Sequence, residues 1–274
     1  MSSVKLLSHR SNIIHKRNVA DKKSSTGHIL DMVVDRYIKL LRLTPWKEVS
    51  FGRLENAIRL LNEYIDFSKN IENKDSFFNW RSDFAGSILP EFIYRYISCR
   101  LNRLGIEVVF TTKDSVTEVT LSGGKNTDGW DVRRKDQDLC IGNTYGKVTY
   151  SGAELTFLVP SIAIEVKTNL DINKLSGLDF SAERLKRTFP NAKYFIITET
   201  IDYNLDNNYS SGFVDEIYVL RKQLRTHARK KKNNIDHAVF EIILNDICCL
   251  LGATSKSSVH VYDRLKNGKL INND

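Results

Sequence analysis

The chain has 274 residues, of which 41% are hydrophobic and 27% are charged, and its formal net charge is +8. Such a composition supports a sizeable core and excludes a chain that is disordered throughout. The positive charge predicts attraction to a polyanion, with nucleic acid as the leading class of partner.

Cysteine usage and the N-terminus indicate where the protein works. Cys99, Cys140, Cys248 and Cys249 lack the spacing of a zinc site, and a reducing compartment fits them best. The N-terminus lacks the apolar core of a signal peptide, and no apolar run approaches the roughly 20 residues of a membrane span. We therefore expect a soluble, cytoplasmic protein without a membrane partner.

The first part of the chain is predicted to be helical. Residues 1–26 are polar and basic, which favours a flexible arm, or a tail without a role. Apolar residues then recur at helical spacing over 29–41 and 54–65 and predict two amphipathic helices. We assign them to a helical subdomain over residues 27–80, followed by the main domain over residues 81–274.

A third helix is predicted to run to Leu104, because Gly105 follows it as a stop signal. Its start has two interpretations. Either Asp83 caps the helix and Pro90 kinks it, or Ser87 caps it and Pro90 lies in the first turn, where proline is tolerated.

Residues 106–112 predict the first core strand, because Val108, Val109 and Phe110 are β-branched or aromatic. Glycine-containing turns follow at 122–129. They lack the glycine and lysine spacing of a phosphate-binding P-loop, which excludes a nucleotide hydrolase of that class.

Three consecutive cations, Arg133, Arg134 and Lys135, lead toward Asp138. They either guide DNA phosphates to a site at Asp138 or form a charged strand edge that resists stray pairing. Asp138, a candidate metal ligand, lies three residues after Lys135 and favours the phosphate-binding interpretation.

Asp138 begins a short apolar run that predicts a strand over 138–141. The turn residues at 142–146 then predict a hairpin in which 138–141 pairs with 148–150. Asp138 would lie at the start of that hairpin.

A second acidic candidate lies on the buried strand that begins after Pro160. Side chains alternate along a strand, so Glu165 and Lys167 share a face. A carboxylate and an ammonium there are costly to desolvate, and a divalent cation with an anionic substrate offsets that cost. If the two strands are neighbours, Asp138 and Glu165 share a hard metal ion such as Mg²⁺, and the Val166 carbonyl completes its oxygen shell.

The remaining elements predict an α/β fold. A helix over 181–188 and a strand over 193–198 make a crossover unit with the strand that carries Glu165. A strand at 216–220 and a helix at 235–251 follow. The fold class is therefore a mixed sheet flanked by helices, with an N-terminal helical subdomain.

Positive charge is concentrated between residues 221 and 232. Such a run is either a solvated segment or a phosphate contact, and in a protein whose expected partner is a nucleic acid the second is favoured. The DNA-binding candidates of this run are Arg225, Arg229, Lys230, Lys231 and Lys232.

The arrangement Asp138, then Glu165-Val166-Lys167, resembles the PD-(D/E)XK nucleases, except that Gln137 stands where proline is usual. That departure leaves Asp136 as a competing candidate, although the apolar run after Asp138 favours Asp138. Longer stretches resemble the heterodimeric Type II restriction endonucleases of the BbvCI-like family. They are 78–92 (FNWRSDFAGSILPEF), 177–185 (GLDFSAERL) and 214–221 (VDEIYVLR).

This resemblance covers about residues 78–265 and implies a PD-(D/E)XK core, a need for Mg²⁺ and a second, related subunit. It also implies double-stranded DNA as substrate, with each subunit cutting one strand of an asymmetric site. Many nucleases of this superfamily supply a further acidic group from a helix before the core strands. Glu91 is the candidate for that metal ligand, and the alternative is a salt bridge to Arg95 one turn on.

Asp138, Glu165 and Lys167 are thus the predicted catalytic residues of a Mg²⁺-dependent phosphodiester hydrolase. Two rival functions stay open. One is a DNA-binding subunit without chemistry, and the other is a structure-specific repair nuclease on the same core. The six histidines show no close pairing, which counts against a zinc hydrolase.

Overall fold

The computed structural model describes residues 6–21, 23–43, 51–79, 84–112, 115–121, 130–150, 153–202 and 212–253. Asp83 and residues 261–265, which entered the sequence predictions, lie outside these ranges. The helices are α1 (Ser8–Val19), α2 (Ser25–Leu43), α3 (Phe51–Lys74), α4 (Ser76–Asn79), α5 (Ile88–Arg103), α6 (Ile172–Thr188), α7 (Arg225–Lys230) and α8 (His237–Ala253). The strands are β1 (Val109–Thr111), β2 (Ser115–Leu121), β3 (Trp130–Lys135), β4 (Leu139–Gly142), β5 (Thr144–Tyr150), β6 (Ala153–Val159), β7 (Ile162–Asp171), β8 (Lys193–Asp202) and β9 (Glu216–Val219).

Five of these strands form a mixed central sheet in the order β1-β4-β7-β8-β9. β4 is antiparallel to both β1 and β7, whereas β7, β8 and β9 run parallel to one another. Helix α6 connects β7 to β8 and forms the predicted crossover unit. The α/β fold class is confirmed.

The two faces of the sheet pack on different partners, because side chains along β7 alternate. Even-numbered residues from Ile162 to Val166 belong to a large apolar cluster with residues of α2, α3, α5 and α8. On the opposite face, Ala163 belongs to a smaller cluster with residues of α6 and β8. Glu165 and Lys167 lie on this second face, so β7 directs its polar end toward the α6 side of the sheet.

The predicted flexible arm needs correction, because residues 8–19 form helix α1. This helix packs on α2 and α5 and buries His9, Ile13 and Lys16. Full burial of a side chain such as Ile13 contributes roughly 1.5–3 kcal/mol. The polar composition concealed the helix, since much of its attachment comes from buried hydrogen bonds made by His9.

The two amphipathic helices at 29–41 and 54–65 are confirmed as parts of α2 and α3. Their apolar sides belong to the same cluster as Leu139 and Ile141 of β4. A continuous core therefore joins the helical region to the sheet. The division of the chain at residue 80 stays a prediction.

Helix α5 begins as the second of the two interpretations has it. Ser87 occupies the N-cap position, although its hydroxyl donates to the Phe84 carbonyl and makes no capping bond, and Pro90 lies in the first turn, where its missing N–H costs no helical hydrogen bond. At the other end, Gly105 has φ 70° and so takes the left-handed conformation that ends many helices. This helix carries Glu91 and Arg95.

The predicted start of the helix after β7 was wrong, since α6 begins at Ile172 and not near residue 181. Asp171 caps it, and its side chain accepts a hydrogen bond of 2.9 Å from the Lys174 N–H. Leu178 and Leu185 on its inner side are buried. The cap and this burial outweigh the weak helix propensity of Gly177 and its neighbours.

The predicted hairpin was also wrong in its pairing. β4 pairs with β1 and β7, whereas β5 pairs with β6 in a separate two-stranded sheet. Gly142 marks the junction, because a Cβ atom there would lie 2.2 Å from the Val159 carbonyl oxygen. Only glycine lets the two segments approach so closely.

Candidate active site

The antiparallel register of β4 and β7 places Asp138 and Glu165 opposite each other. The last residue pair of these strands is Leu139 with Ile164. One step further along the same register brings Asp138 across from Glu165, on the same face of the sheet. The pairing of the two carboxylates is therefore set by backbone geometry.

Lys167 joins the two carboxylates. Its Nζ lies 2.7 Å from Glu165 Oε2 and 3.4 Å from Asp138 Oδ2. The Val166 N–H donates a hydrogen bond of 2.7 Å to Asp138 Oδ2, which fixes that carboxylate against the end of β7. The structure thus brings together Asp138, Glu165 and Lys167 as the sequence predicted, and Asp138 rather than Asp136 meets the strand.

Two further side chains contact Glu165, and the sequence analysis did not assign them to it. Lys135 Nζ lies 3.1 Å from Glu165 Oε1 and 3.3 Å from the Tyr194 hydroxyl. The Tyr194 hydroxyl is 3.4 Å from the same carboxylate oxygen. Tyr194 reaches the site because it pairs with Ala163 across β7 and β8, a parallel register that no local motif encodes.

The electrostatics of the site separate its two carboxylates. Burial raises the pKa of Asp138 above its ordinary value, and the adjacent Glu165 adds to this effect against the opposing ammonium of Lys167. Burial alone would also raise the pKa of Glu165, but the ammonium groups of Lys167 and Lys135 outweigh it and hold that pKa below its usual value. Glu165 is therefore a firmly ionised carboxylate, and Asp138 is the more readily protonated one.

Lys167 is held in its charged form. Burial alone would lower the pKa of Lys167, but Asp138 and Glu165 raise it above the ordinary value of a lysine. Its side chain is 29% exposed and that of Asp138 is 32% exposed, so both reach solvent while Glu165 lies beneath them. An anionic substrate would meet the lysine before the buried glutamate.

The prediction that Glu91 joins this site is corrected. Glu91 Oε1 accepts hydrogen bonds from Arg95 Nε at 2.8 Å and from the Tyr37 hydroxyl at 2.6 Å, and Oε2 accepts one from the Arg10 N–H at 2.9 Å. These partners belong to α1, α2 and α5, not to β4 or β7. The salt bridge to Arg95, which was the alternative, is the one that forms.

The cations before Asp138 have different positions. Lys135 contacts Glu165, whereas the side chains of Arg133 and Arg134 are exposed and line a groove beside the site. This placement fits phosphate binding, which stays a prediction for both arginines.

The basic run near residue 230 divides in the structure. Arg221 is 2% exposed and forms a buried salt bridge of 2.7 Å with Glu199, so it is not a surface cation. Arg225 pairs with Asp202 at 3.1 Å and Lys232 pairs with Asp66.

Lys222 of the run pairs with Asp236, which leaves Arg229, Lys230 and Lys231. Their side chains are exposed at the end of α7. They stay candidates for phosphate contact.

The donors at the site fit a hard cation. Within the described ranges no group of three His, Cys, Asp or Glu side chains gathers, so an all-side-chain cage is absent there. Asp138 and Glu165 offer carboxylate oxygens. The N–H and C=O of a residue in an extended strand face the same side, so the Val166 carbonyl also faces the Asp138 side. Two carboxylates and one carbonyl suit Mg²⁺, which commonly keeps several of its waters.

Comparison with known proteins then decides the family. The model of the Bpu10I restriction endonuclease family matches residues 84–237, a span that includes β4, β7 and the residues around Glu165. The chain belongs to this family. As a member of this family, the chain is a Type II site-specific nuclease. This membership argues against the rival function of a structure-specific repair nuclease.

The BbvCI structure supports the same assignment. The native BbvCI A2B2 tetramer at low resolution matches with a TM-score of 0.71 and 36% sequence identity, over 96% of this chain and 100% of that chain. A complex of the restriction endonuclease PspGI with substrate DNA matches with a TM-score of 0.40 and 12% identity, over 85% of this chain and 95% of that chain, and carries no argument. No curated protein matches this chain. None of the helices in the described ranges is long and apolar enough to span a membrane.

Proposed function

We propose that this chain is a catalytic subunit of a Mg²⁺-dependent restriction endonuclease and hydrolyses one strand of double-stranded DNA at an asymmetric site. The observation that carries the proposal is the convergence of Asp138, just before β4, with Glu165 and Lys167 in the middle of β7. The second strand is cut by a related partner subunit. The site of action is the cytoplasm, where the cell's DNA lies.

Asp138, Glu165 and the Val166 carbonyl would hold the metal ion. When bound, Mg²⁺ polarises the scissile phosphate and lowers the pKa of a coordinated water. The two carboxylates keep the ion at a fixed place on the sheet, because one is anchored by the Val166 N–H and the other is buried.

Lys167 orients the attacking water or neutralises the scissile phosphate. Its ammonium group lies at the mouth of the site and is kept charged by both carboxylates. A fixed positive charge at that point stabilises the extra negative charge of the transition state, and it requires no reorganisation during the reaction.

Cations in two segments of the chain would hold the DNA. Arg133, Arg134 and Lys135 lie beside the carboxylates, and Arg229, Lys230 and Lys231 lie on and after α7. Neutralising the last three together is expected to weaken binding to all sequences and to reduce the salt dependence by up to about three units of slope. Fluorescence anisotropy measures the slope of the logarithm of the binding constant against that of the salt concentration. An unchanged slope would show that this segment is solvated and does not contact phosphates.

A second subunit follows from the number of sites. The described residues provide one Asp, Glu and Lys site, and one such site hydrolyses one strand at a time. Identical subunits related by a two-fold axis favour palindromic targets, so an asymmetric target calls for a different partner. The A2B2 assembly of the BbvCI structure, with its two kinds of chain, supports this arrangement for the present chain.

The experiment that tests the proposal uses Lys167→Glu in this chain, assembled with an intact partner subunit. The change places a carboxylate where a cation faces the scissile phosphate, so this subunit should stop cutting. Supercoiled plasmid with one target site is then expected to be nicked in one defined strand, as resolved on a denaturing gel.

Lys39→Glu is the matched control. It makes the same change of charge at an exposed position of α2 and should leave linearisation of the plasmid intact. Continued linearisation by the Lys167→Glu enzyme, or nicks in both strands, would contradict the assignment of one strand to this chain.

A further inference from the structure

A groove runs along the α6 side of the candidate site, between strand β3 and helix α6. It has a volume of about 470 Å³, with Arg133, Arg134 and Lys135 on one wall and Phe180, Ser181 and Arg184 on the other. An adjoining depression adds Arg187 to Arg133, Phe180 and Arg184. We call this feature the β3–α6 groove.

The β3–α6 groove is continuous with the candidate active site. Lys135 lines the groove and also lies 3.1 Å from Glu165 Oε1. A polymer bound at Glu165 would therefore extend into the groove without leaving the surface.

The charges in the β3–α6 groove specify an anionic occupant. Among the residues that the structure describes, five cations line it, Arg133, Arg134, Lys135, Arg184 and Arg187, and no acidic side chain does. Arg187 also pairs with Glu183 at 2.5 Å, a pair in which the arginine side chain is 74% exposed. Exposed pairs of this kind contribute little and exchange readily for a phosphate.

Phe180 gives the groove a second chemical property. Its side chain is 58% exposed, and the Arg184 guanidinium lies 5.6 Å from the centre of its ring. Single exposed apolar residues are ordinary on protein surfaces, but an aromatic ring among cations in a concave site is the combination that binds nucleic acid strands. The cations match phosphates, and the ring matches the apolar face of a deoxyribose or a base.

We propose that the β3–α6 groove binds the backbone of the strand being cut, on one side of the scissile phosphate. Arg184 and Arg187 contact phosphates, and Phe180 packs on the sugar and base between them. The groove thereby positions the scissile phosphate over Asp138 and Glu165. The role of the α6 wall in positioning the scissile phosphate rests on the proposed nuclease activity. The binding of DNA in the groove does not depend on that activity.

Binding without cleavage tests the inference. The probe is a 30-base-pair duplex of arbitrary sequence, titrated with the protein in EDTA at several KCl concentrations and followed by fluorescence anisotropy. Arg184→Gln is expected to weaken binding about fivefold near 0.1 M salt and to lower the salt slope by about one unit, because one phosphate contact is lost.

Phe180→Ala is expected to weaken binding about fivefold with an unchanged salt slope, since apolar contact of the ring with a deoxyribose releases no counterions. Phe180→Tyr should restore the affinity. The matched controls are Arg59→Gln, which removes an arginine from an exposed pair with Glu63 on α3, and Met32→Ala, which removes an exposed apolar side chain from α2. Both controls should bind like the wild type.

The outcomes separate this inference from the proposed function. Groove variants that bind DNA like their controls would overturn the inference and leave the nuclease proposal untouched. Groove variants that lose binding, when the wild type assembled with its partner subunit shows no Mg²⁺-dependent cleavage, would support the groove and overturn the nuclease proposal.

Discussion

Two buried glutamates in this molecule have opposite surroundings. Glu91 is 2% exposed and Glu165 is 5% exposed, so burial does not distinguish them. The counter-ion of Glu91 is Arg95, whose side chain is 7% exposed and bonds also to Tyr37. The counter-ions of Glu165 are Lys167 and Lys135, which are 29% and 34% exposed.

The two glutamates differ in whether another cation can displace their counter-ion. Arginine presents a rigid planar fork, and Arg95 binds Glu91 and Tyr37 while the Glu91 carboxylate also accepts from the Arg10 N–H, so the pair joins α1, α2 and α5. Lysine carries a point charge on a flexible side chain. At Glu165, the ammonium groups of Lys167 and Lys135 lie between the buried carboxylate and solvent. A buried acid with a replaceable, solvent-facing cation is suited to take up a metal ion, whereas one locked by arginine is suited to hold a fold together.

The largest expected effect is at Asp138. Asp138→Asn keeps the side-chain shape but removes a charged oxygen ligand, so the cleavage rate should fall about a thousandfold, equivalent to about 4 kcal/mol of transition-state stabilisation. Single-turnover cleavage of plasmid measures this, with DNA affinity as the control. Near-normal cleavage would remove Asp138 from the site.

The next largest effect is expected at Arg95, on the other side of the comparison. Arg95→Met leaves Glu91 as a buried charge without its counter-ion, which should lower the free energy of unfolding by at least about 3 kcal/mol. Urea denaturation measures the loss. The folded fraction should cleave DNA at the wild-type rate, and a loss of activity without a loss of stability would make Glu91 functional after all.

Acid should weaken the helical core through His9. This residue lies beside Tyr37 and Tyr64 and near Glu91, and burial lowers its pKa to about 4. The unfolded chain, with a histidine pKa near 6.5, therefore holds more protons between pH 6.5 and pH 4, so stability falls as pH decreases through that window.

The loss caused by His9 should be roughly 2 to 3 kcal/mol between pH 7 and pH 4.5. Comparing the wild type with His9→Asn by urea denaturation at both pH values cancels the contribution of other groups. Equal losses in the two proteins would show that His9 does not titrate in this way.

The smallest effect is expected at Lys135. Lys135→Met removes one of the two cations that neutralise Glu165, so a divalent ion should bind more tightly, by at most about fivefold or roughly 1 kcal/mol for a partly exposed pair. Calorimetric titration with Ca²⁺ measures this without any cleavage. Weaker metal binding in the variant would mean that Lys135 supports the metal site and does not compete with it.

The candidate site could be located from sequence because the features that define it are local in the chain. Strand alternation put Glu165 and Lys167 on one face, and the apolar run after Asp138 distinguished it from Asp136. The contacts of Lys135 and Tyr194 could not be obtained in this way, because they depend on the register between β7 and β8 and on where β3 ends.

The errors have the same physical origin. Residues 8–19 are too polar to look like core, and α1 is held by side chains from three other helices. Arg221 lies in a basic run by sequence, but its partner Glu199 comes from β8 and removes it from the surface. Glu91 was ambiguous for a related reason, since a glutamate among apolar residues needs a partner, and sequence does not say which.

The most direct test exchanges Glu165 and Glu91 for glutamine in separate proteins and measures the cleavage rate and the free energy of unfolding of both. We expect Glu165→Gln to lose cleavage by roughly a hundredfold or more while its stability changes by less than about 1 kcal/mol. Glu91→Gln should instead lose stability and keep the wild-type cleavage rate in its folded fraction. Normal cleavage by Glu165→Gln, or a stable but inactive Glu91→Gln, would contradict the account.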